Sequence, residues 1–548
     1  MPSVAQPPLS LSPWSAATTQ ERHACGAVNV RHKADAMNRT CSDAVRSAWQ
    51  TDQHVPLTQM RGALTFVPGA AYVGALCAER VSNRVGYGKA QVSVTSEWRR
   101  GRTERHRPAS LAQKAQLSTG RALRASAATM ASGGKQEEIE YDVVILGAGI
   151  IGAATAYYLS RQVEGVDTPR VRVLVIEREA VACSSSGKAG GFLARTWGDG
   201  GDTQQLHRVS FALHEQLAAE LQLTSYRKVN TLQAQPFRKG ANASSWLSGD
   251  ACRSSLMDDT TNTAQVTPFE LTARLMQEAQ AAGVELVHET ACGFELHRPS
   301  GPHDEAGSRR EVASVRTQSG KVFRCRKVLI AMGVWSTTVA AWLDAGAKGR
   351  AQLQLPLEGI LSTSLVFERK QKVLDEPFAV FCGEDRNGCH LELYPRANGD
   401  LYVCGMGGSE ILDIHRVVPG GDIEAPSRVR PSASRLDAAM NTLRAIAPGL
   451  VGEDGGPDIV QACIRPCAPD AKPLMGRLGR SNAFIATGHN CWGILWGPAS
   501  GKAMAELLLT GKSATLDLSP FEPTRFMPQK LRRSRQNAAT GEEVGEFW

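Results

Sequence analysis

Three glycines, Gly147, Gly149 and Gly152, stand at G-x-G-x-x-G spacing between the apolar residues 143–146 and an alanine-rich stretch. That order suits a strand, a tight turn and a helix, an arrangement that binds the pyrophosphate of a dinucleotide. The first glycine permits the turn and the second lets a phosphate approach the backbone. The third lets the helix lie close on the strand with its N-terminus, opened by Ile150 and Ile151, toward the phosphates. A second strand, residues 171–176, ends at Glu177, whose carboxylate can accept hydrogen bonds from an unphosphorylated adenosine ribose. Arg178 follows it. Ser185, Ser186, Gly187, Lys188, Ala189, Gly190 and Gly191 then form a second small-residue turn, counted with the cofactor-binding residues. Taken alone, this unit leaves NAD-dependent enzymes open as well as flavoproteins.

The elements that hold these turns follow from periodicity. Residues 204–223 place Leu206, Val209, Leu213, Leu217 and Leu221 three to four apart, a helical pattern. Residues 267–282 read as a second helix, opened by Thr267, Pro268 and Glu270 in capping-box order and stopped by Gly283. Strands are predicted at 284–289 and 328–331, the latter leaving through Ala331, Met332 and Gly333. A loop rich in Gly, Pro and charge is predicted around 298–310. Residues 356–405 alternate like antiparallel sheet, a helix is predicted at 436–446, and a strand begins at 459. A glycine-rich crossing and a closing helix at 498–509 follow.

At 548 residues the chain is long for one domain, and its 42% hydrophobic and 21% charged residues are those of a soluble globular protein. No run approaches the roughly 18 apolar residues of a membrane span. The formal charge of +8 is uneven: by count, residues 1–130 carry about 17 Lys and Arg against about 7 Asp and Glu, roughly +10, leaving about −2 (8 − 10) for the rest. No basic stripe with interleaved aromatics occurs elsewhere, so no nucleic-acid partner is expected. From His106 to Lys135 no acid appears, and the Arg-, Ser- and Ala-rich text has the character of a transit peptide. A disordered leader or an over-extended start reads equally well, with a compact protein beginning near Met130. The expected location is a chloroplast or another organelle, with the cytoplasm as the alternative. The 13 cysteines show neither C-x-x-C nor zinc spacing, so they read as thiols of a reducing compartment and no metal site is expected.

Three separated blocks together resemble the flavoprotein family of D-amino-acid oxidase, glycine oxidase and sarcosine oxidase. The first is GAGIIGAATAYYL with Glu177 and SSSGKAGG, and the second is KVLIAMGVWS, a strand ending in a small-residue turn. The third is CIRPCAPDAKPLMGRLGRSNAFIATGHNCWGILWGPASGKAMAELL, in which R-P precedes P-D-x-x-P, a strand, G-H-x-x-x-G and a helix. The GKxGGFLA stretch is similar to plant and fungal FAD-dependent oxidoreductases. The resemblance implies an α/β, bilobal fold: a doubly wound Rossmann-like FAD domain assembled from residues 140–205, 265–345 and 455–515, with an antiparallel-sheet substrate domain from 206–264 and 346–454. Residues 1–135 are left as a leader and 516–548 as a tail.

It also implies FAD as cofactor and a small amine or amino acid as substrate. A hydride would pass from the carbon beside the amine to flavin N5, giving an imine that water hydrolyses, with oxygen or another acceptor reoxidising the flavin. Ala331, Gly333, Gly488, His489, Gly493 and Ile494 would lie by the flavin, where oriented amides at a helix start can stabilise the charge of its reduced form. Arg465, in the R-P dipeptide, would hold the substrate carboxylate, a task suited to a planar fork. His489 and Tyr394 complete the candidate catalytic set, each with a structural alternative, and Tyr394 shares a strand face with Glu392. Asp470 and Lys472 read as turn residues. Lys188 stands where the dimethylglycine and sarcosine dehydrogenase branch carries a flavin-linked His, so that linkage is not expected; it would approach phosphate or flavin, or face solvent. Cys463 falls where monomeric sarcosine oxidase has its flavin-linked Cys, although Cys is also a common buried strand residue. Cys491 and Trp492 replace a basic residue of the glycine-oxidase branch. A second reading is a flavoprotein serving as an assembly or interaction factor.

Overall fold

The computed structural model describes residues 140–161, 171–297, 310–344, 353, 355–452, 455–479 and 481–526. The transit-like segment, the loop at 298–309 and the tail beyond 526 lie outside the described residues.

The first sheet is laid down in the order Leu474–Arg477, Ala483–Thr487, Val322–Ile330, Glu140–Leu146, Val173–Glu177 and Glu285–His288. The last five of these run parallel, and Ala291–His297 with Glu311–Thr317 extend the sheet antiparallel beside Val322–Ile330. Glu140–Leu146 is central: the chain passes from it to Val173–Glu177 on one side and only later returns to Val322–Ile330 on the other. The carboxyl end of Glu140–Leu146 is therefore a topological switch point, where open α/β sheets bind ligands.

One face of this sheet, through Val143, Ile145, Val173 and Val175, is covered by the helices Ile150–Ser160, Pro268–Ala281, Gln204–Glu220 and Gly493–Thr510. Two of them pack unusually close. A Cβ on Gly497 would stand 2.4 Å from Ile150 Cγ1, and one on Gly501 2.4 Å from Ala154 Cβ, so the glycines four apart let the closing helix lie against the first. The sequence reading put residues 206–264 in the second lobe; Leu206, Phe211, Leu217 and Leu221 instead pack in this core.

The second sheet, also of eight strands among the described residues, runs Glu410–Leu412, Glu358–Phe367, Leu401–Cys404, Glu392–Pro395, Phe378–Cys382, Asn230–Pro236 and Cys252–Asp258, with Ile459–Cys467 paired along Glu358–Phe367. Its back is closed by helix Ala433–Ile446, through Leu365, Leu393 and Val403 against Leu443 and Ile446. Its inner face carries Val366, Tyr394 and Tyr402 against Phe192. Strand Phe192–Ala194, with Thr263–Gln265 and Arg227–Lys228, forms a small sheet between the two.

The opening of helix Pro268–Ala281 differs from the expected capping box. Thr267 is the N-cap without a side-chain bond, and the Glu270 carboxylate accepts from Thr224 N, Thr224 Oγ1 and Ser225 N. A turn distant in sequence offered three donors to the carboxylate.

Candidate functional site

At the switch point Gly147 has φ +100°, and a Cβ there would lie 2.6 Å from Ala331 O. The two strand exits thus meet backbone to backbone, with Gly147 N bonded to Ile176 O and Ala331 N to Leu146 O. A Cβ on Gly152 would stand 1.9 Å from Gly147 O, which fixes why the helix can begin so soon after the turn. Gly149 caps that helix, and Ile150 N donates to Ser186 Oγ at 2.9 Å. The side chains of Ile150 and Ile151 are buried in the helical core, so only their backbone faces the turn. The Glu177 carboxylate points back at the turn, accepting from Ala148 N at 2.8 Å and Glu179 N at 3.0 Å. Arg178 instead reaches away, donating to Glu424 O.

The second small-residue turn is the short helix Ser185–Lys188, and it ties the two sheets together. Ser185 Oγ donates to Ile464 O at 2.6 Å and Lys188 Nζ to Ala462 O at 3.1 Å. Lys188 O in turn accepts from Tyr402 OH and Gln461 Nε2. Lys188 is thereby a strap onto strand Ile459–Cys467. Gly187 fits close to Ala182 O, and a Cβ on Gly190 would strike the rings of Tyr394 and Tyr402. Gly191, at φ +83°, leads the chain from half-buried Ala189 into Phe192–Ala194.

At the other end, Gly333 (φ +58°) accepts from Thr487 Oγ1, and Gly488 (φ +82°) turns the chain toward the closing helix. That helix spans Gly493–Thr510, so it starts five residues before the predicted Pro498 and carries Pro498 inside it. Proline has no N–H for Ile494 O, and Ala499 N donates to Ser210 Oγ at 3.1 Å. His214 Nε2 bonds the carbonyl that proline leaves free, Ile494 O at 3.0 Å, and also Leu495 O at 3.1 Å. Helix Gln204–Glu220 is therefore a splint for the interrupted turn. To serve both carbonyls His214 must carry its proton on Nε2, and burial pulls its pKa down to about 4. These two partners were missed because proline at a first helical position is the commoner sequence signal.

His489 is also buried and neutral, its pKa drawn to about 3 by burial, with Nε2 and Ser500 Oγ 3.1 Å apart. It clasps the glycine-rich crossing to the closing helix. Cys491, two residues on, is exposed by area, yet burial pushes its thiol up. The sulfur feels the charges of both Arg465 and Glu392, which places it in the space beside the inner face of the second sheet.

Arg465 enters that space from strand Ile459–Cys467. Its Nε donates to Ser362 Oγ at 2.8 Å and its Nη1 to Asn490 Oδ1 at 2.9 Å. Neither partner was foreseen, since both depend on strand register and on the bend after His489. Tyr394 is buried, stacked between Phe192 and Tyr402, and its hydroxyl donates to Glu392 Oε2. Cys463 is buried, and burial raises its pKa against the opposing pull of Arg465. Asp470 accepts two bonds from Arg525, and Lys472 pairs with Asp202 at 2.7 Å, so both fasten the surface around the crossing.

The candidate cofactor segments are thus the tight turn at Gly147 and Gly149, the half-buried run Cys183–Ala189, and the helix start at Gly493 after Cys491. A ligand with a pyrophosphate, a ribose and a flat ring system fits this donor set, with Glu177 and the Gly149 helix at one end and Gly493 at the other. Among the described residues no group of three metal-binding side chains occurs, and no helix is long and apolar enough to cross a membrane.

Comparison with known proteins agrees. Relatives include an oxidoreductase of Schizosaccharomyces pombe, 24% identical over 406 residues, covering 70% of this chain and 97% of its own. The N-methyl-L-tryptophan oxidase of Salmonella typhi is 22% identical, covering 71% of this chain and 100% of its own. Glycine oxidase from Geobacillus kaustophilus shares the fold, with a TM-score of 0.53 at 22% identity over 71% of this chain and 100% of that one. Residues 142–507 match the family model described as DAO, FAD dependent oxidoreductase, and the chain belongs to that family, with FAD as its cofactor.

Proposed function

We propose that the protein oxidises the carbon–nitrogen bond of an amino acid. The observation that carries this reading is the pre-set fork of Arg465. Ser362 and Asn490 orient the guanidinium at the inner face of the second sheet, and Asn490 belongs to the segment that opens the closing helix. A carboxylate gripped there is placed relative to the cofactor cradle by the protein itself. FAD, when bound, would supply the hydride acceptor for the carbon next to the amine, and water would hydrolyse the resulting imine. The chain's Arg465 would hold the carboxylate, the aromatic inner face of the second sheet would exclude water, and the amides at the Gly493 helix start would serve the ring system. The relative from Salmonella typhi named N-methyl-L-tryptophan oxidase supports the same substrate class.

The test is a screen of amines and amino acids on the holoenzyme, following peroxide and flavin bleaching in parallel, since oxygen or another acceptor completes the cycle. Arg465→Ala should raise the KM for a responding amino acid by about tenfold or more. An unchanged KM would remove Arg465 from the site. We further propose delivery to a chloroplast or another organelle, which mapping of the mature N-terminus checks.

A further inference from the structure

Glu392 has no part in the reading above, yet the sheet register aims it at the same space. It pairs with Cys404, and Tyr394 pairs with Tyr402, so the four share one face. The alternating residues Leu393 and Val403 fill the core behind the sheet, which leaves Glu392 and Cys404 facing inward with Tyr394 and Tyr402. Val366 marks the same inner side of its strand; counting back in twos gives Ser362, which pairs with Cys463, and Arg465 is two further on. An acid and a guanidinium thus occupy one face of one sheet.

Both are held. Glu392 Oε2 accepts from Tyr394 OH and from Cys404 Sγ at 3.3 Å, as Arg465 is held by Ser362 and Asn490. The thiols of Cys404 and Cys491 each feel both the Glu392 carboxylate and the Arg465 guanidinium, which brings the two charges to the same neighbourhood. Beside Glu392 lies an apolar rim. Phe381 pairs with it across the strands, and the half-buried Trp197 stands 5.0 Å from Phe381 and 6.2 Å from Trp492, ring to ring. A bipolar surface next to an aromatic rim matches a zwitterion with a large apolar side chain better than it matches a simple amine.

We propose that Glu392 is the subsite for the substrate's amino group, opposite Arg465, and that the substrates are amino acids with aromatic or large apolar side chains. This rests on the amino-acid reading of the site. Glu392 orients the amine through hydrogen bonds, and the side chain lies against Trp197, Phe381 and Trp492.

Three probes with one ring separate the two charges: phenylalanine, 3-phenylpropanoate without the amine, and phenethylamine without the carboxylate. Their apparent dissociation constants are read from the flavin spectrum of the anaerobic holoenzyme, with FAD content checked for each variant. Glu392→Gln should weaken phenylalanine and phenethylamine by about tenfold or more and leave 3-phenylpropanoate unchanged or tighter. Arg465→Ala should do the converse, weakening the two carboxylates and sparing phenethylamine. Equal shifts of all three probes in Glu392→Gln, or none, would overturn the subsite by making Glu392 a prop for Tyr394. A native holoenzyme that ignores all three probes but is bleached by small amino acids would sink this inference and leave the broader function standing. Silence toward every amino acid would sink both.

Discussion

At the Gly147 turn, backbone presses on backbone: a methyl group on Gly152 would stand 1.9 Å from Gly147 O, and one on Gly147 2.6 Å from Ala331 O. On the inner face of the second sheet, selectivity rests instead on long side chains, Arg465, Glu392 and Tyr394, each positioned by a hydrogen bond to another side chain. At Gly147 and Gly152 the first region leaves no room for an added atom, and it offers little choice of ligand. The second can change one group at a time, so a single fold can keep its cofactor while varying its substrate.

The largest expected effect tests the steric half of this contrast. Gly152→Ala should yield protein without bound flavin, destabilised by about 3 kcal/mol or more, because the obstacle is a carbonyl and not a movable side chain. Gly149→Ala, whose new methyl would meet only Ser186 Oγ at 3.0 Å, should fold and bind FAD more weakly. Equal flavin content in the two variants would break the distinction.

Next comes the splint. His214→Leu removes the donor shared by the carbonyls of Ile494 and Leu495 and should cost about 2 to 3 kcal/mol in thermal or denaturant unfolding. Native His214 adds a pH dependence. Its folded pKa near 4 lies below the ordinary 6.5, so the unfolded chain takes up the proton first. Stability is complete above about pH 6.5 and falls by about 3 kcal/mol toward pH 4. His489 acts in the same direction. Unfolding curves from pH 8 to pH 4 should be visibly flatter for His214→Leu than for the native chain; identical slopes would exclude the His214 contribution.

The smallest effect concerns Cys463. Its buried, raised thiol is a poor nucleophile, so acid denaturation should release the yellow colour into the supernatant, and Cys463→Ser should leave the flavin content unchanged. Colour retained on the precipitate would point to a covalent bond.

How much of this was legible in the sequence depended on range. The glycines of the first turn are legible because their spacing is a local property of one strand–turn–helix, and the period-two alternation of Glu392 and Tyr394 gave their shared face. The partners of Arg465 were hidden, since Ser362 reaches it only through strand pairing. The start of the closing helix was misplaced because proline inside a helix is disfavoured unless something distant compensates. The sequence holds Ser210 and His214, but not their proximity to Pro498. Glu270 shows the same limit: its spacing from Thr267 announces a cap, and a remote turn outbid it.

The bend at Pro498 also bears on the order in which the molecule is assembled. A helix interior holding proline is disfavoured by about 3 kcal/mol on its own, and the groups that relieve it lie 280 to 289 positions earlier in the chain. During synthesis Ser210 and His214 are made long before the helix they complete, and the nucleotide-binding core stays open on that side until Gly493–Thr510 docks through Gly497 and Gly501. The last long helix among the described residues is thus the one that shuts this core.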